Sequence, residues 1–312
     1  MRKARPLLSF RLRELLKPLV VFNGATGLFA VGSLQIEGRV YLWRLGPEGP
    51  EEVSSLECSG TCSAVGGCGN AYVMCGSELY EISEGGVRPV YRFKPNLLPA
   101  GFDYYTERLL LASSEEVVVY DPATGSELRL RTPVPESLRW GEVFGGVRVA
   151  SDHEFYYVAE VEGYELRLAR YRKNLELADE VAVGRVLDMF GPIYLKVYVG
   201  ANERAVLTSL RSPLREEYLL FDRELKLRRR EGELLQDIEA TRDLLYVRCK
   251  GGLPCSVSES GELRLVPLIG APLPGGIDST LYFSNIAALY DLRTGKLDLF
   301  LGQVRSPKRE AR

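Results

Sequence analysis

An aromatic or bulky apolar residue followed by a polar, turn-forming stretch and a second strand-like run recurs along this chain of 312 residues. Neighbouring copies lie 33 to 51 residues apart, which is the spacing expected when one supersecondary unit of about 40 residues is repeated. A chain of this kind stacks similar units one after another, and each unit covers the next. The seven copies start at Trp43, Tyr80, Tyr120, Tyr171, Phe221, Val257 and Tyr290.

Each repeat contains four short runs rich in Val, Leu, Tyr and Phe, separated by Gly, Pro, Asn and Asp, and this pattern predicts four strands per unit. A single four-stranded sheet cannot bury both of its faces, so we expect the sheets to pack around a common axis. The sequence therefore predicts an all-β protein, a β-propeller of four-stranded blades, with seven blades as the preferred count and six or eight as alternatives. In the third unit the predicted strands are 98–105, 108–113, 117–121 and 128–131.

The predicted propeller spans residues 18–302, between a basic N-terminal segment, 1–17, and a basic C-terminal tail, 303–312. The first segment has six basic side chains against one acidic one, and the tail has four against one. Within residues 6–13, Leu8, Phe10 and Leu12 occupy alternate positions, which predicts an added outermost strand. The alternatives are a short helix over 11–19, limited by Pro18, and an adaptable tail. Short charged ends are commonly solvated.

Two copies of the recurring turn are the clearest, Tyr-Asp-Pro-Ala-Thr-Gly at 120–125 and Tyr-Asp-Leu-Arg-Thr-Gly at 290–295. In both, the Asp is expected to cap the turn and the Gly to adopt a positive φ. These stretches resemble the repeats of WD40-like and quinoprotein-type β-propellers. The quinoprotein type often has a Trp after the turn, where this chain has Leu128 and Leu297, and the Trp-Asp pair of WD40 repeats is missing. The resemblance therefore implies the architecture and no activity.

Four of the six cysteines are predicted to face each other in pairs. A hairpin centred on Gly252 places Cys249 opposite Cys255, and a turn over residues 67–70 places Cys62 opposite Cys75. Directly opposed Cβ atoms are close enough for a disulfide bond. We therefore predict two disulfides in this chain.

The remaining cysteines, Cys58 and Cys68, pair with each other or stay reduced. A competing interpretation is a four-thiolate metal site made of Cys58, Cys62, Cys68 and Cys75. Its spacing lacks the Cys-x2-Cys knuckles by which such sites are recognised, so we favour disulfides or plain thiols.

Composition indicates a thermophilic source, because Arg supplies 31 of the 40 basic residues while Asn and Gln together number nine. Disulfides do occur inside the cells of such organisms. The chain has no run of 18 apolar residues and no Asn-x-Ser/Thr sequon. We expect a cytoplasmic protein without a membrane span.

Catalytic constellations are scarce in this sequence. The single histidine, His153, follows Ser151 and Asp152, but adjacency in sequence does not make a catalytic triad, and we interpret His153 as a surface residue. No phosphate-binding loop, nucleophile elbow or dinucleotide fingerprint is present. The sequence predicts no catalytic residue and no organic cofactor.

Acidic and amide side chains recur near the innermost strand of several units, at Asn23, Asp103, Asp188, Asp237 and Asp278. If these residues converge at the mouth of the central channel, their oxygens could hold a divalent cation such as Ca²⁺. The simpler interpretation is that each Asp caps its own turn. The metal ligands proposed under the first interpretation are Asp103, Asp188, Asp237 and Asp278.

The favoured function is that of a non-catalytic scaffold, which presents a propeller face to partner proteins in a complex. The alternative is a metal-dependent hydrolase of the lactonase kind, or a small-ligand binder, that uses the acidic residues at the channel mouth. Nucleic acid is a less favoured partner, because the body of the chain is acidic and no aromatic residue is interleaved with the basic residues between 223 and 230. We interpret that basic run as a solvated sheet edge.

Overall fold

The computed structural model contains only β-strands and turns in the residues that it describes. They form 29 strands in seven sheets, which confirms the predicted all-β class. No helix long and apolar enough to cross a membrane occurs among them. The described residues are 8–11, 17–34, 37–58, 62–93, 97–113, 115–132, 144–145, 148–162, 165–185, 195–211, 216–232, 235–240, 245–248, 254–258, 260, 262–265, 279–283, 286–291 and 296–301.

We number the sheets 1 to 7 in chain order. Sheet 1 contains β2 (Lys17–Gly24), β3 (Gly27–Leu34), β4 (Arg39–Gly46) and β5 (Gly49–Glu57). Sheet 2 contains β6 (Cys62–Gly66), β7 (Ala71–Cys75), β8 (Glu78–Ser83) and β9 (Gly86–Arg92). Sheet 3 contains β10 (Leu98–Asp103), β11 (Arg108–Ala112), β12 (Glu116–Tyr120) and β13 (Glu127–Arg131).

Sheet 4 contains β15 (Val149–Ser151), β16 (Phe155–Glu162), β17 (Glu165–Arg172) and β18 (Leu177–Arg185). Sheet 5 contains β14 (Phe144–Gly145), β19 (Leu195–Ala201), β20 (Val206–Arg211), β21 (Glu216–Phe221) and β22 (Leu227–Glu231). Sheet 6 contains β23 (Gln236–Ala240), β24 (Leu245–Arg248), β25 (Pro254–Val257) and β26 (Leu263–Leu265). Sheet 7 contains β1 (Leu8–Arg11), β27 (Ser279–Phe283), β28 (Ile286–Asp291) and β29 (Lys296–Leu301).

Strands that are consecutive in the chain pair antiparallel within each sheet, so every sheet is an up-and-down meander; in sheet 5 the short β14 adds a parallel pairing to β19. The first strand of the meander in one sheet contacts that of the next, in the order β27, β2, β6, β10, β15, β19 and β23. Strands that touch one another in this way line a common axis. The arrangement is that of a β-propeller, as predicted.

The core lies between neighbouring sheets, because alternate side chains of one strand point to opposite sides. In β11, Leu109 and Leu111 pack against Tyr72 of sheet 2, whereas Leu110 packs against Val158 of sheet 4. All five side chains are at most 5% exposed. A strand buried on both faces reads as a continuous apolar run in the sequence, as β11 and β12 do.

The N-terminal strand β1 is the outermost strand of sheet 7 and pairs antiparallel with β29. Leu8 lies opposite Leu299, and Phe10 lies opposite Leu297. This strand precedes residue 18, where the sequence analysis began the propeller. Residues 279–283 form the innermost strand of this sheet, β27, and residues 276–278 lie outside the described residues.

The turn that follows Tyr120 has the predicted geometry. The Asp121 Oδ1 atom accepts hydrogen bonds from the backbone N–H groups of Ala123 at 2.9 Å and Thr124 at 3.2 Å. Gly125 has a φ of 73°, the left-handed region that the sequence analysis expected. Tyr120 is buried and packs edge-on against Phe93, 5.2 Å between ring centroids. The recurring aromatic residue therefore packs neighbouring sheets together.

Candidate functional site

The end of the ring that carries the turn between the first and second strands of each sheet is called the turn face here. In an antiparallel meander the turn between the third and fourth strands lies at the same end. On sheets 3, 4 and 5 the first of these turns starts from a polar side chain that is buried, at Asp103, Asp152 and Asn202.

Asp103, the last residue of β10, is fully buried and its carboxylate is saturated with partners. Its Oδ1 atom accepts the backbone N–H of Tyr105 at 3.1 Å, and its Oδ2 atom accepts the hydroxyl of Thr106 at 2.6 Å. The Nζ atom of Lys173 lies 2.6 Å from the same Oδ2 atom. Lys173 comes from the turn between β17 and β18, so this ion pair joins sheet 3 to sheet 4. A buried carboxylate is tolerated only when it is paired and hydrogen-bonded in this way.

Lys173 is itself largely buried, and its ammonium group lies 4.1 Å from the centroid of the Tyr156 ring. Burial lowers the pKa of Lys173, and the negative charge of Asp103 only partly offsets this effect. Burial, with a smaller contribution from the Asp103 charge, raises the pKa of Tyr156 to about 12. The ammonium group therefore has two favourable partners, a carboxylate and an aromatic face.

Asp152 repeats the arrangement one sheet further on. Its Oδ1 atom accepts the backbone N–H groups of Glu154 at 2.8 Å and Phe155 at 2.7 Å, which caps the turn between β15 and β16. Its Oδ2 atom accepts the hydroxyl of Tyr157 at 2.9 Å and the Nε–H of Arg223 at 3.0 Å. Arg223 also donates to the Oε2 atom of Glu154 at 2.6 Å. Burial alone would lower the pKa of Arg223, but the charge of Asp152 and the hydrogen bonds to the Asp152 and Glu154 carboxylates raise it overall. This ion pair joins sheet 4 to sheet 5.

Both cations come from the same position of equivalent turns. Lys173 and Arg223 each lie two residues before a leucine with positive φ, 65° at Leu175 and 58° at Leu225. Gly125 has the corresponding place in sheet 3, with a φ of 73°. The interpretation of the basic run at 223–230 as a solvated edge is therefore wrong for Arg223, because its side chain is only 23% exposed and binds a buried carboxylate.

The acidic and amide residues predicted to lie at the channel mouth are found in different environments. Asn23 is exposed, and Asp103 caps its own turn, which is the simpler of the two interpretations. Asp237 lies in β23, while Asp188 and Asp278 lie outside the described residues. The divalent-cation hypothesis therefore stays a prediction, and in it Lys173 would compete with the cation for Asp103.

Two residues equivalent to Asp103 were missed by the sequence analysis, Asp152 and Asn202. The Oδ1 atom of Asn202 accepts the backbone N–H groups of Arg204 and Ala205, both at 3.0 Å. The position of these residues in the chain was a usable signal for a turn cap. Each one ends or directly follows an innermost strand and begins a tight hairpin.

Above this framework lies an exposed group of aromatic side chains, called the tyrosine patch here and made of Tyr104, Tyr105 and His153. The two tyrosines are 49% and 42% exposed. The ring of Tyr105 lies 5.9 Å from that of His153, and its hydroxyl donates to the Oε1 atom of Glu203 at 3.3 Å. These contacts cross from sheet 3 over sheet 4 to sheet 5, so the patch extends across three sheets.

Tyr104 extends the tyrosine patch towards sheet 2. Its ring packs edge-on against Phe102, 5.2 Å between centroids, and its hydroxyl donates to the backbone carbonyl of Gly66 at 3.4 Å. His153 is exposed as predicted, and its Nε2 atom lies 3.7 Å from the Oε1 atom of Glu154. The described contacts of His153 are with the Tyr105 ring and Glu154, and none is with Ser151. Among the described residues, Ser151, Asp152 and His153 therefore do not form a catalytic triad.

A cavity of about 400 Å³ is lined by residues of sheet 5 and its turns. Its walls contain two arginines, of which Arg228 forms an ion pair with Asp222 at 2.6 Å. The cavity therefore offers a mixed charge and not an open anion site. It is lined by Arg204, Ala205, Phe221, Asp222 and Arg228.

A sulfur cluster lies at the opposite end of sheet 2. Cys62 and Cys75 are register partners on β6 and β7 and are joined by a disulfide, as the predicted turn implied, with 4.4 Å between their Cα atoms. Cys58 is a half-buried free thiol beside this bridge, and burial raises its pKa to about 11. Cys68 is an exposed free thiol in the turn that follows β6, and β6 separates it from Cys62. The four-thiolate interpretation is therefore wrong.

The other predicted bridge, between Cys249 and Cys255, involves one residue that the structure does not describe. Cys255 is buried in β25 and lies opposite Val247, whereas Cys249 lies outside the described residues. That bridge stays a prediction.

No protein-family model matches the chain, and no curated protein is similar to it in sequence. Solved structures do match along nearly its whole length. The propeller domain of Cps50 (Swd1) from Myceliophteria thermophila has a TM-score of 0.59 at 14% identity, covering 96% of this chain and 100% of that one. The Pan2 WD40 domain of Neurospora crassa has a TM-score of 0.59 at 10% identity, covering 98% and 97%.

A third solved structure, BBS1N in complex with ARL6DN, has a TM-score of 0.56 at 13% identity and covers 98% of this chain and 99% of that one. At such low identity the similarity concerns the path of the backbone and carries no residue roles. The chain has the fold of the WD40-like β-propellers.

Proposed function

We propose that the protein is a non-catalytic scaffold that binds a partner protein on its turn face, with the tyrosine patch at the centre of the contact. The observation that carries this proposal is the combination of two exposed tyrosines with a rigid base. Tyr104 and Tyr105 stand on a turn whose first residue, Asp103, is fixed by Lys173 of the next sheet.

Exposed tyrosines on a rigid base are suited to protein recognition. Tyrosine offers a large apolar ring and a polar hydroxyl, and it is enriched among the residues that dominate binding energy. Since the turn is already ordered, little conformational entropy is lost when a partner docks. Loops that are held by a rigid scaffold are also the places where proteins most often carry their binding residues.

The charge around the patch indicates the chemistry of the partner. Glu107 is exposed next to the tyrosines, and Glu203 accepts the Tyr105 hydroxyl. The patch therefore combines apolar rings with carboxylates. A partner segment with an apolar anchor and flanking Arg or Lys side chains complements such a surface.

The solved structures of similar fold support this role in a general way. BBS1N was solved in complex with ARL6DN, and another matching structure, with a TM-score of 0.58, contains Dbp5 bound to Nup159 with Gle1. The alternative of a metal-dependent hydrolase or small-ligand binder has weaker support, because Asp103, one of its predicted ligands, is already neutralised by Lys173.

The test compares two faces of one protein. Tagged wild-type chain, the double variant Tyr104→Ser/Tyr105→Ser and the control variant Leu98→Ser are expressed in the source organism, and proteins that co-purify are quantified by mass spectrometry. Leu98 is 53% exposed and lies at the other end of β10, so its replacement alters the opposite face by a similar apolar area.

We expect a stoichiometric partner that is reduced at least tenfold by the tyrosine variant and retained by Leu98→Ser. The purified partner should also protect Cys68 from a maleimide reagent, because Cys68 is an exposed thiol on the turn face. Retention of every partner by the tyrosine variant, or loss caused by Leu98→Ser instead, would contradict the proposal. Bound metal in the purified protein, lost on Asp237→Ala, would favour the hydrolase alternative.

A further inference from the structure

We propose that Cys58, Cys62 and Cys75 form a redox-gated site for a soft metal ion, Cu(I), at the end of sheet 2 opposite the turn face. The three sulfur atoms lie within 4.8 Å of one another, and they are the one group of three or more potential metal ligands found in the described ranges. This proposal does not depend on the partner-binding role.

The three cysteines are brought together by the fold and not by a local motif. Cys62 begins β6, and Cys75 ends β7, so the antiparallel register places them side by side. Cys58 follows β5 of sheet 1, where its backbone N–H donates to the carbonyl of Gly38 at 2.7 Å. That hydrogen bond fixes the backbone of Cys58, so its thiol stays beside the other two sulfurs.

The surroundings of the sulfur atoms favour a soft ion. Cys62 and Cys75 are 5% and 4% exposed, and they pack in an apolar cluster with Val20 and Ile82. The carboxylate nearest in register is that of Glu78, which lies opposite Cys75 and accepts the Tyr80 hydroxyl. It is not part of the ligand group.

The number of ligands also distinguishes between metal ions. Zn²⁺ in structural sites takes four ligands in tetrahedral geometry. Soft thiolate ligands suit Cu(I), and three sulfurs suit it better than Zn²⁺, which needs a fourth ligand from the protein or from water. Because the ligand atoms are partly or fully shielded from water, a bound ion would also be protected from exchange.

The disulfide acts as the gate of this site. In the oxidised protein, Cys62 and Cys75 bond to each other and leave Cys58 as the single thiol of this group of three. A dithiol or phosphine reductant supplies two electrons, which together with two protons convert the bridge into two thiols while the reductant is oxidised. Three thiols are then available, and they bind the metal as thiolates with release of their protons to solvent.

The experiment measures Cu(I) binding by the full chain. Protein is reduced with a phosphine, separated from the reductant without air, checked for retained β-structure by circular dichroism and titrated with Cu(I) against a chromophoric chelator. The variants are Cys58→Ser, the matched control Cys68→Ser, and Cys249→Ser/Cys255→Ser, which removes the other predicted cysteine pair as a competing site after reduction.

We expect one tightly held Cu(I) at the site in the reduced wild type, in Cys68→Ser and in Cys249→Ser/Cys255→Ser. Cys58→Ser should hold the ion at least tenfold more weakly, and oxidised protein should not hold it. Equal affinity in Cys58→Ser, equal binding by the oxidised protein, unfolding on reduction, or tighter one-to-one binding of Zn²⁺ would each overturn the proposal.

Discussion

The junctions between sheets 3, 4 and 5 and the junction between sheets 1 and 2 use the same topological contact with different chemistry. In each, the first turn of one sheet meets the third turn of the next. Between sheets 3 and 4, and between 4 and 5, a buried Asp binds a Lys or Arg. Between sheets 1 and 2, the Glu84 Oε2 atom accepts the N–H and the hydroxyl of Thr26 at 2.9 and 3.0 Å, in contact with solvent.

We infer from this difference that burial, more than the number of hydrogen bonds, decides how strongly such a contact links two sheets. Exposed polar contacts compete with water and contribute little. A buried charge whose partner is removed is left without any compensation, which is strongly unfavourable. Sheet 2 is instead reinforced by a covalent bond inside the sheet, between Cys62 and Cys75.

Replacing the buried carboxylate should have the largest effect. We expect Asp152→Ala to lower the free energy of unfolding by about 3 kcal/mol, because the Tyr157 hydroxyl and two backbone N–H groups of the turn lose their acceptor and Arg223 keeps only the exposed Glu154. Glu84→Ala should cost less than about 1 kcal/mol. Guanidinium unfolding of both variants measures the difference, and equal losses would refute the role given to burial.

Removing the disulfide tests how much the covalent bond contributes to sheet 2. Cys62 and Cys75 are 13 residues apart in sequence, and closing a loop of this size stabilises a protein by about 3 kcal/mol. We therefore expect Cys62→Ala/Cys75→Ala to unfold earlier than the wild type under non-reducing conditions, with the exposed Cys68→Ala as the unaffected control. A double variant as stable as Cys68→Ala would show that the bridge does not brace the sheet.

Gly86 and Gly125 allow a comparison of the turns between the third and fourth strands of sheets 2 and 3. A Cβ atom at Gly86 or Gly125 would meet no heavy atom within 4 Å, so only the backbone matters. Gly86 has a φ of 116°, which side chains rarely adopt, and Gly86→Ala should cost about 2 kcal/mol. Gly125 has a φ of 73°, close to the values of Leu175 and Leu225, and Gly125→Ala should cost about 1 kcal/mol. Thermal unfolding would contradict this ranking if Gly125→Ala were the more damaging change.

Glu160 provides a smaller, pH-dependent contrast with Asp152, because it has no ion-pair partner of similar strength. Burial raises the pKa of Glu160, and the Tyr171 hydroxyl and the charge of Arg148 only partly oppose this. The folded state therefore keeps the proton to higher pH than the unfolded state, so this contribution to stability is present at low pH and lost as pH rises above about 4.5. We expect the unfolding midpoint of Glu160→Gln to fall less than that of the wild type between pH 4 and 7. The same pH profile in both proteins would contradict this effect of Glu160.

Local features of the fold could be predicted from the sequence. The four strands of sheet 3 lie within two residues of their predicted ends, because apolar runs alternate there with strong turn residues. The pairing of Cys62 with Cys75 followed from the position of one turn. Both depend on residues fewer than 20 apart, where the geometry of the chain leaves few choices.

The contacts across sheets could not be predicted. Lys173 and Asp103 are 70 residues apart, and a sequence does not show which turn of one sheet meets which turn of the next. The third sulfur of the cluster was unpredictable for the same reason, since Cys58 belongs to sheet 1 and its partners to sheet 2. The tyrosine patch was also missed, because exposure of Tyr104 and Tyr105 depends on where neighbouring turns end.

The pairing of β1 with β29 has a consequence for the order of folding in the cell. During synthesis, β1 leaves the ribosome with the first part of the chain, and its partner strand, 296–301, is made long afterwards. Sheets 1 to 6 can form as they emerge, but sheet 7 stays incomplete until β29 has emerged. The seam between β1 and β28 therefore closes only when β29 is inserted, and until then the edges of β1 and β28 are open to pairing with other chains.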